Sequence, residues 1–168
     1  MSELRRFRPE AILRSLIAHG VQFIVVGGLA AQAHGSPSLT GDLDICYARD
    51  GDNLGRLAGT LEELAAVRRG LPADTLRMPP LDARTLRAGG LFTLTTSAGD
   101  FDLLANPDPE LDFERLRVTA LSTTVAGQAV LVASLEDLIS MKRAAGRPKD
   151  RIELEILGAL REELDHRE

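Results

Sequence analysis

The stretch Asp42-Leu43-Asp44-Ile45 carries the clearest chemistry in the chain. Asp42, Asp44 and Cys46 alternate with Leu43, Ile45 and Tyr47. That two-residue period is a strand's, so both carboxylates leave one face, with Cα atoms about 6.8 Å apart. At an effective dielectric of 20, two unit charges at that distance repel by roughly 2 kcal/mol. The neighbouring side chains are apolar, so this is no solvated acidic run, and something positive is required on that face. A divalent cation is the simplest candidate, because hard cations gather several carboxylate oxygens. Asp102 is the natural third ligand if its strand lies beside Asp42–Tyr47. Standing alone, Asp-X-Asp is more often an edge strand with two exposed acids.

The elements around these acids decide whether they can meet. Gln22–Val26 is apolar and β-branched throughout, the pattern of a strand covered on both faces. Gly27-Gly28 turns it into a short helix, Leu29–His34. Small residues at such a corner let backbone N–H groups approach a ligand, and a helix start favours an anion. Leu91–Thr96 and Asp100–Leu104 read as a hairpin around Ser97-Ala98-Gly99, with Asp100, Asp102 and Leu104 on one face. Helices are expected over Pro9–His19 and from Asp50–Asn53 onward, where Leu54, Leu57, Leu61 and Leu64 recur at helical spacing. Gly70–Gly90, with Pro72, Pro79 and Pro80, reads as irregular. Val118–Thr124 and Gln128–Val132 read as strands. Ser134 caps a helix that Gly146 closes, and Pro148 opens the last one. The expected architecture is α/β. It has a mixed, antiparallel-rich sheet of about five strands, flanking helices, and C-terminal helices (134–166) closing a cleft in a single domain over 1–168.

Composition narrows the function classes. With 168 residues, 44% hydrophobic and 27% charged, the chain is long enough to bury a core without disulfides or zinc. The single Cys46 excludes a disulfide framework and reads as a small buried residue. Five Phe, one Tyr and no Trp argue against an aromatic platform for single-stranded nucleic acid. The net charge of −5 hides two poles. Leu138–Ile152 holds Lys142, Arg143, Arg147, Lys149 and Arg151 against Asp150, while Asp100–Glu114 holds six acids and no base. Lys142 falls at the edge of the apolar stripe Leu135, Leu138 and Ile139, where it meets either a triphosphate or a core carboxylate. His19 and His34 read as capping or core residues. Ser15–Gly41 lacks charged side chains, but glycines and Pro37 interrupt it, and its best run, Phe23–Ala31, falls short of the ~20 residues a bilayer requires. Arg5, Arg6, Arg8 and Pro9 do not form a signal peptide. No membrane partner and a cytoplasmic location are therefore expected.

Val26-Gly27-Gly28, thirteen residues, then Asp42-Leu43-Asp44-Ile45 resembles the nucleotidyltransferase superfamily that includes DNA polymerase β. The chain has neither Gly-x-Gly-x-x-Gly nor Gly-Lys-Ser/Thr, so dinucleotide and P-loop readings fall away. Residues 25–37, 40–45, 99–104 and 141–150 further resemble the bacterial minimal nucleotidyltransferases of the AbiEii toxin kind. The resemblance implies transfer of an NMP from an NTP to an acceptor hydroxyl on an RNA 3′ end, such as that of tRNA, or on a protein side chain. It implies the toxin of a toxin–antitoxin pair, with an antitoxin protein as partner. Asp42, Asp44 and Asp102 would be ligands for two Mg²⁺ ions, with Mn²⁺ as a substitute, and Asp102 also a general base. Gly27-Gly28 would hold the triphosphate, and Lys142 and Asp150 would belong to the second half of the site. Ser36 and Thr40 flank the site and could bind phosphate or cap a turn, while Arg147 and Lys149 would face substrate. Ser38 and Gly41 stand where such proteins often carry a base, and Glu153 where they often carry Asp. A non-catalytic nucleotide- or partner-binding module is the alternative. A metal-dependent glycosyltransferase is a third reading, but it leaves the Gly27-Gly28 corner unexplained.

Overall fold

The computed structural model describes residues 6–70 and 78–167. Arg5, and Pro72 in the stretch read as irregular, lie outside the described residues. The strands are β1 (Phe23–Val26), β2 (Asp42–Tyr47), β3 (Val67–Arg68), β4 (Leu91–Thr96), β5 (Gly99–Leu104), β6 (Leu121–Val125) and β7 (Gln128–Val132). They form one sheet in the order β3-β4-β5-β2-β1-β7-β6. Four of its six pairings are antiparallel, and β2–β5 and β1–β7 are parallel. The sheet is mixed and antiparallel-rich as expected, but it has seven strands rather than about five. The two-residue β3 leaves no alternating run for a sequence reading to detect.

β2 holds the centre because its Leu43, Ile45 and Tyr47 are wholly buried. A one-residue slip would turn Asp42 and Asp44 into that core, so the register is strongly specified. The Tyr47 hydroxyl donates to the Leu86 carbonyl at 2.8 Å, joining α4 (Ala83–Ala88) to this face. β1 is buried at all four positions, as a doubly covered strand requires. α1 (Pro9–Ala18) buries Ile12, Leu13 and Leu16, and α3 (Gly51–Glu63) buries Leu54, Leu57 and Leu61. A fully buried leucine contributes roughly 1.5–3 kcal/mol. Asp50 caps α3 by accepting from the Asn53 backbone N–H. The buried Asn53 side chain bonds Gln22 and Ala48, tying the helix to the chain beside β1 and β2.

Two further expectations are corrected. The stretch read as irregular contains α4, capped by Asp82 and anchored by buried Leu86. The expected strand Val118–Thr124 is divided. Its start belongs to α5 (Phe113–Thr119), and the strand proper is β6. β-branched Val118 and Thr119 favour a strand locally. The Asp112 cap and the burial of Phe113 and Leu116 win, leaving Val118 81% exposed. α6 (Leu135–Ala145) begins at Ser134, whose hydroxyl accepts from the Asp137 N–H, and ends at Gly146 with φ 61°. α7 (Asp150–His166) follows and packs on α6.

Candidate active site

Parallel pairing of β2 with β5 sets Asp44 opposite Asp102 and Asp42 opposite Asp100. One carboxylate oxygen from each of Asp42, Asp44 and Asp102 lies within 4.8 Å of the others. The strand adjacency that the third acid required is therefore present. Burial pushes Asp44 up to about 8, the Asp42 and Asp102 carboxylates reinforce the shift, and Lys142 opposes it. Burial also raises Asp102, against the opposing charge of Arg69. Three hard oxygen donors with unmet negative charge fit a divalent ion such as Mg²⁺.

The β1–α2 corner closes over these acids, where α2 is Gly27–Ala33. Gly27 has φ +68°, and a Cβ there would stand 2.2 Å from Asp44 Oδ2. A Cβ on Gly28 would stand 2.7 Å from Thr40 Cβ. Both positions therefore require glycine for close approach, and Gly27 for its left-handed backbone as well. Thr40 Oγ1 donates to Asp42 Oδ1 at 3.1 Å, so this hydroxyl orients a carboxylate. Ser36 does not line the cavity. It is buried, and its Oγ accepts from the Ser38 N–H at 3.2 Å, which is the turn-capping role. His34 caps α2, its Nε2 lying 2.8 Å from the Ala133 carbonyl, and His19 pairs with Glu63. Cys46 is buried.

A cavity of about 570 Å³ opens above the acids. Gly27, Gly28 and Thr40 line it, with Lys142, Arg147, Lys149, Asp150 and Glu153 from the α6–α7 side. Lys142 Nζ lies 3.3 Å from Asp150 Oδ1, and Arg147 Nε 2.9 Å from Oδ2. Lys142 thus meets a core carboxylate while facing the cavity. The Arg147 hydrogen bond, helped by Lys142 and opposed by desolvation, holds the Asp150 carboxyl down to about 2. Arg143 and Arg151 are exposed and stand outside the cavity lining.

The sequence matches no protein-family model and no curated protein. Solved structures do match it. Against ANT(2'')-Ia in complex with adenylyl-2''-tobramycin the TM-score is 0.56 at 17% identity, covering 95% of this chain and 95% of that one. The solution structure of the same antibiotic-resistance factor gives 0.55 at 17%, over 95% and 90%. The lincomycin-bound lincosamide adenylyltransferase LnuA gives 0.57 at 14%, over 90% and 95%. This is a nucleotidyltransferase fold.

Within that fold, Arg69 is the charged cavity residue that the sequence reading missed. It follows β3, and its side chain reaches Asp102 and Asp100 on β5. It supplies part of the positive charge that the acidic face requires. No local pattern marks it, because only the pairing of β3 with β4 carries it there. The unmet charge on the acids was the one signal pointing to such a residue.

Proposed function

We propose that the protein is a divalent-metal-dependent nucleotidyltransferase, moving an NMP from an NTP to an acceptor hydroxyl. The observation that carries this reading is the convergence of Asp42, Asp44 and Asp102 within 4.8 Å, beside the Gly27-Gly28 corner. Those three carboxylates would hold Mg²⁺, or Mn²⁺ in its place. Bound there, the ions would neutralise phosphate charge and lower the pKa of the acceptor hydroxyl. Asp102 takes the hydroxyl proton. The freed oxygen bonds to the α-phosphorus as the bond to the bridging oxygen breaks, and the electron pair leaves with pyrophosphate. Lys142, facing the cavity, offsets charge on the triphosphate.

Two sources bear on the acceptor. The AbiEii-like stretches favour an RNA 3′ end such as that of tRNA, or a protein side chain, within a cytoplasmic toxin paired with an antitoxin. Arg147 and Lys149 at the cavity suit a polyanion. The solved neighbours instead carry tobramycin and lincomycin, so a small hydroxyl-bearing molecule is the other class. A binding module without turnover is the second functional reading. It is favoured by Ser38 and Gly41 in the loop before the acids, and by the pairing of Lys142 and Arg147 with Asp150.

The test is incubation with each α-labelled NTP and Mg²⁺, offering total RNA, protein, tobramycin or lincomycin. Label on an acceptor, lost in folded Asp44→Ala, supports transfer and names the acceptor class. Calorimetric NTP binding with no label on any acceptor supports the binding module. Label transfer surviving in Asp44→Ala removes the metal assignment.

A further inference from the structure

We infer that Arg69 is a positioning residue for Asp102, fixing the carboxylate so that the acidic triad is assembled before substrate arrives. The inference rests on the metal-binding part of the proposed function. Arg69 is anchored at its backbone, where its N–H donates to the Thr93 carbonyl at 2.9 Å. Its Nη2 donates to the Leu94 carbonyl at 2.8 Å and to Asp102 Oδ1 at 2.5 Å. Its Nε stands 3.4 Å from Asp100 Oδ2. The planar guanidinium is thus held against β4 and β5 together, and it takes Oδ1 of Asp102. Arginine suits the task because its donors form a rigid fork, whereas a lysine ammonium is a single point on a flexible stem. The Asp102 side chain is only 12% exposed, so few water molecules are left to orient it in place of Arg69.

Sign separates positioning from a plain charge effect. A guanidinium repels a cation, so removing its charge alone would tighten metal binding. Loss of an outer partner that orients a ligand instead weakens metal affinity or activity by about 10–100-fold. The experiment titrates Mn²⁺ by electron paramagnetic resonance into wild type, Arg69→Gln, Arg69→Lys and Arg68→Gln, with folding checked by circular dichroism. Arg68 is the control, since it stacks over Phe92 at 5.7 Å and is not a cavity residue. The expected result is Mn²⁺ affinity weaker by about 10-fold or more in both Arg69 variants and unchanged in Arg68→Gln. Unchanged or tighter binding in folded Arg69→Gln overturns the inference. If that variant fails to fold, wild-type affinity in Arg69→Lys overturns it equally. Wild type that binds Mn²⁺ but labels no acceptor sinks nucleotidyl transfer alone, because this titration still decides the role of Arg69.

Discussion

The acidic face and the basic wall hold their charges in opposite ways. On the sheet, β2 and β5 fix three aspartates by strand register, and Arg69 is the one cation bonded to that set among the described residues. Burial and mutual repulsion drive Asp44 up to about 8. On the helical side, Asp150 is buried between Lys142 and Arg147 and is held down to about 2. Two carboxylates of one chain are displaced in opposite directions by what stands beside them. The helical wall is largely neutralised from within, so Asp150 reads as the anchor of two cations. The sheet face carries charge the protein does not balance, which is where a cationic ligand gains most. Unbalanced charge, more than acidity as such, separates the candidate centre from the scaffold.

Removing Asp44 breaks the comparison most severely. In Asp44→Asn, transfer falls on the order of 10⁴-fold, as for other members of an interdependent catalytic set. Stability moves the other way. At pH 9, above the Asp44 value of about 8, relief of its burial as a charge and of roughly 2 kcal/mol of repulsion raises Tm by about 4 °C or more in metal-free buffer. A fall in Tm measured by calorimetry would show that the acidic face is not strained. Mn²⁺ sharpens the same contrast. At a hundredfold excess over its Kd it stabilises wild type by about 2.7 kcal/mol and leaves the double variant Asp42→Asn/Asp44→Asn unmoved. An equal shift in both would place the ion elsewhere.

The helical wall answers differently. Asp150→Asn destabilises by roughly 2 kcal/mol, the scale of hydrogen bonds to charged groups, and raises KM for the nucleotide more than it lowers kcat. Its pH dependence has a definite sign. The folded Asp150 carboxyl titrates at about 2, below its ordinary 3.8, so the contribution is present above about pH 4 and lost as pH falls towards 2. The Tm gap between wild type and Asp150→Asn should close over that window, and a constant gap would exclude an ionic origin. The smallest effect is at the corner. Gly28→Ala costs about 1 kcal/mol through the contact with Thr40 Cβ, and Thr40→Gly in the same chain, which removes that Cβ, restores part of it in a denaturant titration. A double variant as unstable as Gly28→Ala would mean that the backbone, not Thr40, requires the glycine.

The sequence by itself determined the parts whose cause is local. The alternation around Asp42 and Asp44 set their shared face. The periodic leucines and the Asp50 and Ser134 caps set α3 and α6, and the Gly27-Gly28 and Gly146 breaks ended their neighbours. Tertiary structure decided what depends on distant partners. It brought Asp102 beside Asp44 and carried Arg69 across β4 to the acids. It also overrode the strand preference of Val118 with the buried contacts of Phe113 and Leu116. Period and capping act within a few residues and are written in neighbouring side chains. Strand order and countercharge join residues dozens of positions apart, and no local pattern encodes which distant surface will supply the partner.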